Sequence, residues 1–191
     1  MRETIKLGLI LLVFSLVSAG VLGFVNSITD PIITEREAEE ARKAYQSLLP
    51  EATDFEEVTG DEFAKYKANF SKLVKIVKAL NNGETIGYLL TTNGGGYGGD
   101  ITVVTAIVGE DVKAITILKH KETPQIGTKV ESKDFQAQYS GKKIGEPIGV
   151  KKENPGANDI QAISGSTVSS RGVTAAVNMA LDVYKELNNG L

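Results

Sequence analysis

"LVKIVKALNNGETIGYLLTT", residues 73–92, is the stretch on which the fold turns. Two β-type runs rich in Val, Ile, Leu and Thr flank Asn82-Gly83, a dipeptide that tolerates the positive φ angles of a two-residue hairpin loop. A glycine-rich break follows, "NGGGYGGD" at 93–100. Then comes a second pair of the same kind: "ITVVTAIV" (101–108), the turn "GED", and "VKAITILKH" (112–120). Two hairpins in succession predict an antiparallel sheet.

Working outward, the segments on either side are helical. "TEREAEEARKAYQSLLP" (34–50) has Thr34 as N-cap with Glu37 three residues on, a face of Ala41, Tyr45 and Leu48 or Leu49, and a stop at Pro50. "EATDFEEVTGDEFAKYK" (51–67) is polar and fits either a short helix or a loop. "TKVESKDFQAQYSGKK" (128–143) predicts a short helix capped by Ser132, with Phe135 and Tyr139 on one face. "PIGVKK" (147–152) reads as one more strand and "ENPGAND" (153–159) as a turn-rich loop. In "GVTAAVNMALDVYKELNNG" (172–190), Val173, Val177, Leu181 and Tyr184 keep helical spacing up to the stop at Asn189-Gly190. The expected fold class is α+β, an antiparallel sheet with helices packed on it.

The N-terminus adds a membrane element. "LGLILLVFSLVSAGVLGFV", residues 7–25, contains no charge. At about 1.5 Å per residue it spans a hydrocarbon core of about 30 Å. Arg2, Lys6 and the α-amino group precede it, so residues 1–6 form a short cytoplasmic N-terminus and the remainder lies on the extracytoplasmic side of the cell membrane. The small residues "VSAG" (17–20) admit a cleaved signal peptide as the other reading, but the apolar run continues past them and favours a permanent single-pass anchor. Gly8, Ser15, Ser18, Gly20 and Gly23 offer small faces for contact with other membrane helices.

Composition excludes several kinds of chemistry. The 191 residues contain no cysteine and one histidine, His120, so disulfides, thiolate metal sites and the usual haem ligation are ruled out. Redox work would need an organic cofactor. A net charge of −3 without a basic stripe sets nucleic acid aside.

Three breaks between elements are candidates for ligand contact. In "GGGYGG" (94–99), glycines around Tyr97 let backbone approach a ligand while the tyrosine presents a ring face. No P-loop lysine accompanies it. Taken alone, a loose inter-hairpin loop is the simpler account. In "HKETPQIG" (120–127), Glu122 and Thr123 ahead of Pro124 form an extended exit whose polar atoms can meet a ligand edge; a proline-set turn beside a solvent-facing histidine is the simpler account. In "ISGSTVSSRGV" (163–173), Ser164, Ser166, Thr167, Ser169 and Ser170 stand at the start of the last helix. Unpaired N–H groups and the positive dipole end make that a phosphate site, and N-capping is the alternative. The order is not that of a G-x-S-x-G nucleophile elbow.

Taken together, these segments resemble the FMN-binding domain shared by the G subunit of the Rnf electron-transport complex and the C subunit of the sodium-pumping quinone reductase. That family carries a GYGG-type loop, an H-x-E-T-P-G-[LI]-G segment and D-x-x-[ST]-G-A-T, in that order. Here they correspond to Gly96-Tyr97-Gly98-Gly99, His120–Gly127 and Ser164-Gly165-Ser166-Thr167. The resemblance covers roughly residues 85–187, behind a segment (26–84) of helix and first strands. It implies FMN joined to Thr167 by a phosphodiester bond that a flavin transferase installs from FAD. Ser164, Gly165 and Ser166 would form the supporting turn, and Gly96, Tyr97, Gly98, Glu122, Thr123, Pro124 and Ile126 the contact loops. It further implies an electron-transfer subunit that works with other membrane subunits of an Rnf-type ferredoxin:NAD⁺ oxidoreductase coupled to Na⁺ or H⁺ transport. Three positions depart from the pattern: Gln161 replaces the aspartate, Asp159 lying two residues earlier, Ser166 the alanine and Gln125 the glycine. The competing readings are a cofactor-free, membrane-tethered interaction domain and a stand-alone flavinylated electron carrier.

Overall fold

A computed structural model describes residues 2–189. Gly190, the expected helix stop, and the α-amino group of Met1 lie outside the described residues. The chain forms two compact units, one ending at Arg42 and one beginning at Lys43.

Helix α1 (Arg2–Leu48) is exposed along its apolar stretch and is long and apolar enough to cross a membrane. The separate helix start expected at Thr34 does not exist, because α1 runs through Pro31 without a break. Pro31 has no N–H, so the carbonyl of Ser27 loses its usual intrahelical donor. Nearby hydroxyls fold back on the helix: Ser27 Oγ donates to Phe24 O (2.8 Å), Thr29 Oγ1 to Val25 O (2.7 Å) and Thr34 Oγ1 to Asp30 O (2.9 Å). Thr34 is therefore an interior residue whose hydroxyl serves the preceding turn rather than capping the next one.

The second unit is built on a five-stranded sheet: β1 (Asp54–Glu57), β2 (Leu73–Asn81), β3 (Glu84–Gly95), β4 (Asp100–Val108) and β5 (Asp111–Lys119). The strands lie in chain order, and each pair is antiparallel. At the first hairpin Asn81 stands opposite Glu84, with Asn82 and Gly83 at φ 51° and 86°, as a type I′ loop requires. The polar segment after α1 forms edge strand β1 and helix α2 (Gly60–Asn69).

Alternation along the strands gives the sheet two buried faces. On one, Leu73, Ile76, Leu90, Ile101, Val103, Ile107 and Ile115 share a core with Val173, Val177 and Leu181 of helix α4 (Thr167–Asn189). Each such side chain, fully buried, stabilises by about 1.5–3 kcal/mol relative to exposure. On the other face Val77, Leu89 and Ala106 stand side by side across β2, β3 and β4, all buried. Tyr45, Leu48 and Leu49 are buried as well, with the Tyr45 ring 5.8 Å from that of Phe55 on β1.

Two short strands, β6 (Gly149–Lys151) and β7 (Asp159–Gln161), form a separate parallel pair. Helix α4 begins at Thr167, which puts Thr167, Ser169 and Ser170 in its first turn. Helix α3 (Lys133–Ala137) follows a 3₁₀ turn (Gly127–Glu131), and Ser132 Oγ caps it by accepting from Phe135 N at 3.4 Å.

Tyr139, just beyond α3, is fully buried, and its hydroxyl lies 2.7 Å from Thr174 Oγ1. Thr174 Oγ1 already donates to Ser170 O (2.9 Å), so the Tyr139 O–H is the donor between them. Burial raises the Tyr139 pKa above the ordinary 10.0, only partly countered by the Thr174 hydrogen bond. A folded-state value above the unfolded one means a contribution that is complete below pH 10 and lost as pH rises beyond it. Burial also raises the pKa of Tyr45 and Tyr184. Urea titrations should therefore show a stability loss above that pH in both proteins, smaller in Tyr139→Phe than in the wild type, with Tyr139→Phe about 1 kcal/mol less stable at neutral pH.

Candidate functional site

The three breaks singled out in the sequence meet at one end of α4. The connection from β3 to β4 closes with Gly96 N donating to Gly99 O at 2.8 Å, which leaves Tyr97 at the tip, 77% exposed. The exit from β5 runs beneath this loop. A Cβ on Gly98 would stand 1.9 Å from Lys121 O, and one on Gly96 would stand 2.2 Å from Glu122 Oε1, so glycine is required where the two segments pass.

Glu122 is the pin of the assembly. It is 6% exposed; Oε1 accepts from Gly98 N (2.9 Å) and Oε2 from Ser169 Oγ (2.5 Å). These donors offset the cost of taking a carboxylate out of water. The Glu122 N–H donates to His120 Nδ1 (3.1 Å), which puts the imidazole proton on Nε2, facing Glu131 Oε1 at 2.8 Å. The lone histidine is thus a latch on the Glu122 loop, 12% exposed at its side chain, and not the solvent-facing group the sequence allowed. The turn after Pro124 is tied by Gly127 N to Thr123 O (2.9 Å), with Gln125 at φ 63°. That is a left-handed conformation, which glycine adopts more readily than glutamine.

Three of the five hydroxyls at the start of α4 are committed. Ser166 Oγ donates to Ser169 Oγ (2.9 Å) and Ser169 Oγ to Glu122. Ser170 Oγ donates to Ser166 O (2.9 Å) and accepts from Ile163 N (3.1 Å). The carbonyl of Ser166 takes the first helical bond, from Ser170 N (3.0 Å), so Ser166 holds the N-cap position, yet its hydroxyl points to Ser169 instead of capping. Among the described residues the N–H groups of Thr167, Val168 and Ser169 have no acceptor. Of the five hydroxyls in the cluster, only those of Ser164 and Thr167 have no partner among the described residues.

A cavity of about 540 Å³ opens at this junction, lined by Tyr97, Glu122, Thr123, Ile126, Gly127, Lys152, Gly165, Ser166, Thr167, Val168 and Ser169. Its size falls within the range of small-molecule sites, roughly 300–1,000 Å³. Tyr97, Ile126 and Val168 are three of the four exposed large apolar side chains among the described residues of the second unit, the other being Val74, so the apolar surface left in water is concentrated here. A second cavity of about 300 Å³ adjoins it and shares Lys152, Gly165 and Thr167; Ser164, Glu153 and Gln161 line this one alone. Gly96 and Gly98 support the site by packing on Glu122 and Lys121, and Pro124 is an exposed corner between Thr123 and Gln125. A larger hollow, about 770 Å³ near Lys142, Lys143 and Lys185, is less suited to an anion: those lysines already bind Ala157 O and Asp159 O, Asp111, and Asp182.

Apolar walls for a planar ring, carboxyl and hydroxyl groups at its edge, and free N–H groups at a helix start for a phosphate are the features of a flavin mononucleotide site on an α+β fold. Residues 96–182 match the family model of the FMN-binding domain, and residues 1–48 that of the RnfG N-terminal region. The chain is 38% identical over 98% of its length to the G subunit of the Na⁺-translocating ferredoxin:NAD⁺ oxidoreductase complex of Acetobacterium woodii, 94% of which is covered. It is 30% identical over 95% of its length to the G subunit of the ion-translocating oxidoreductase complex of Methanosarcina acetivorans, again with 94% covered. The proton-translocating counterpart from Clostridium ljungdahlii is 28% identical over 91% of this chain and 88% of its own. The fold is shared with the crystal structure of the C subunit of the Na⁺-translocating NADH-quinone reductase from Parabacteroides distasonis (TM-score 0.56, 18% identity, 78% of this chain and 94% of that one). The chain belongs to the G-subunit family of Rnf-type ion-translocating oxidoreductases.

Sequence reasoning missed Lys152. Nothing in "PIGVKK" marks it, because it reaches the site only through the pairing of β6 with β7.

Proposed function

We propose that this chain is a membrane-anchored flavoprotein subunit that holds FMN covalently on Thr167 and relays electrons within an Rnf-type ferredoxin:NAD⁺ oxidoreductase coupled to Na⁺ or H⁺ transport. The observation that carries the attachment point is the uncommitted hydroxyl of Thr167, half-buried, first in α4 and lining both cavities.

Bound FMN supplies the electron transfer; the chain holds, orients and screens it. Tyr97, Ile126 and Val168 offer apolar surface to the ring. Glu122 and Thr123 meet its polar edge, Glu122 being fixed by Gly98 and Ser169. In maturation, Thr167 Oγ1 forms a bond to the phosphorus of the flavin half of FAD, the pyrophosphate bond to AMP breaks, AMP leaves and the hydroxyl proton passes to solvent. The N–H groups of Thr167, Val168 and Ser169 at the start of α4, which have no acceptor among the described residues, would hold the resulting phosphodiester anion. Arg2 and Lys6 ahead of the apolar run of α1 support a cytoplasmic N-terminus and an extracytoplasmic flavin domain. The partners are the other membrane subunits of the complex and, during maturation, a flavin transferase. A tethered flavin outside the cytoplasm is protected from loss by dilution.

The test is the intact mass of the full-length chain produced in a host with and without a flavin transferase. A gain of one FMN less one water, only with the transferase, is expected. An unmodified chain beside an active transferase would sink the covalent reading.

A further inference from the structure

Lys152 is the residue that the site gathers and no sequence pattern announces. Register brings it there. Lys151 of β6 pairs with Gln161 of β7, Ala162 N donates to Lys151 O (2.8 Å), and Gln161 Nε2 reaches Lys152 O at 3.4 Å. Three contacts thus hold the backbone at residues 151–152 against the segment that runs directly into the Ser164–Thr167 turn. Lys152 lines both cavities, and the residues it shares with both are Gly165 and Thr167; its side chain is exposed. It has neither an ion-pair nor a hydrogen-bond partner among the described residues. Glu153 lies next to it in the chain and lines the smaller cavity, yet no ion pair joins the two.

An unpaired ammonium on a residue that lines the same two cavities as the uncommitted hydroxyl of Thr167 is a charge without a counterpart among the described residues. A phosphodiester on Thr167 is such a counterpart. The dinucleotide pyrophosphate that must sit there first carries more negative charge, which a cation screens as the hydroxyl attacks. The N–H groups of α4 face the same phosphate, but they bring only partial charge.

We propose that Lys152 is the phosphate-facing cation of this site, speeding attachment at Thr167 and holding the phosphodiester afterwards. This inference rests on covalent attachment at Thr167. Gln161, standing where the family has an acid, then has a role in this chain: its amide ties down the Lys152 backbone without placing a carboxylate that would compete for the ammonium.

The experiment follows flavin incorporation into the full-length chain by intact mass over time, with a flavin transferase and FAD. Lys152→Ala should slow it several-fold and Lys152→Glu by about tenfold or more, while Lys152→Arg restores the wild-type rate. Lys151→Glu makes the same change in charge at a residue that lines neither cavity, and should behave as wild type. The phosphorus NMR signal of the finished adduct should differ between wild type and Lys152→Ala, a difference that a purely structural role, or docking of the transferase, would not produce. Incorporation into Lys152→Glu at the wild-type rate, or an unchanged phosphorus signal in Lys152→Ala, would overturn the assignment and leave Thr167 in place. A wild-type chain that never gains flavin mass removes both.

Discussion

Thr167→Ala, produced beside a flavin transferase, is expected to fold normally and show no flavin mass and no flavin fluorescence in a denaturing gel, whereas Thr167→Ser keeps both. The loss should be complete because no neighbouring hydroxyl can stand in. Ser166, Ser169 and Ser170 spend their protons on Ser169, Glu122 and the carbonyl of Ser166. Ser164 is uncommitted but exposed, and it lines only the smaller cavity. Removing Thr167 Oγ1 breaks no hydrogen bond among the described residues, so thermal stability should change by no more than about 0.5 kcal/mol. Serine returns the nucleophile without the methyl group, which the open side of the cavity does not need. Flavin persisting on Thr167→Ala would move the attachment to Ser164, and Ser164→Ala would then remove it.

The parts legible in the sequence are those whose signal is local. Asn82-Gly83 specified its hairpin because only a few residues accept two consecutive positive φ angles. Ser132 could be read as a cap because its partner, Phe135 N, is three residues away. Thr34 carried the same kind of signal and misled, since a hydroxyl within a long apolar helix finds the carbonyl four residues back as readily as it caps. Edge strand β1 was illegible for a physical reason: only Phe55 of its four residues is even half-buried, so no apolar alternation exists to read. At the site, order along the chain picked out the three loops, but not what joins them. The hold of Glu122 on Gly98 and Ser169 spans 24 and 47 residues, and Lys152 arrives through a parallel pairing of two three-residue strands. Such contacts are tertiary, and no window of sequence contains both partners.

That dependence on tertiary contact makes Gly94→Ala the most disruptive single methyl group in the domain. The end of β3 crosses α4 with backbone against backbone: a Cβ on Gly94 would lie 1.8 Å from Gly172 O and 3.1 Å from Ala176 N, and one on Gly172 would lie 2.5 Å from Gly95 O. Thr92, two residues earlier on β3, clamps the crossing by donating to Ala176 O at 2.8 Å. A flexible side-chain end could swing aside; a helical carbonyl can move only with its helix, and α4 is held by Val173, Val177 and Leu181 in the core. Overpacking against backbone should cost about 3 kcal/mol or more, a large part of a typical total of about 5–15. Chemical denaturation of the full chain in detergent measures it, with Gly95→Ala as control, since a Cβ there meets only Lys72 Nζ at 3.9 Å. Any Gly94→Ala protein that survives should also take flavin poorly, because the same displacement carries the first turn of α4, with Thr167 and Ser169, away from Glu122. A variant as stable as Gly95→Ala would mean that strand and helix separate at little cost, and that the close crossing does not set the position of the site.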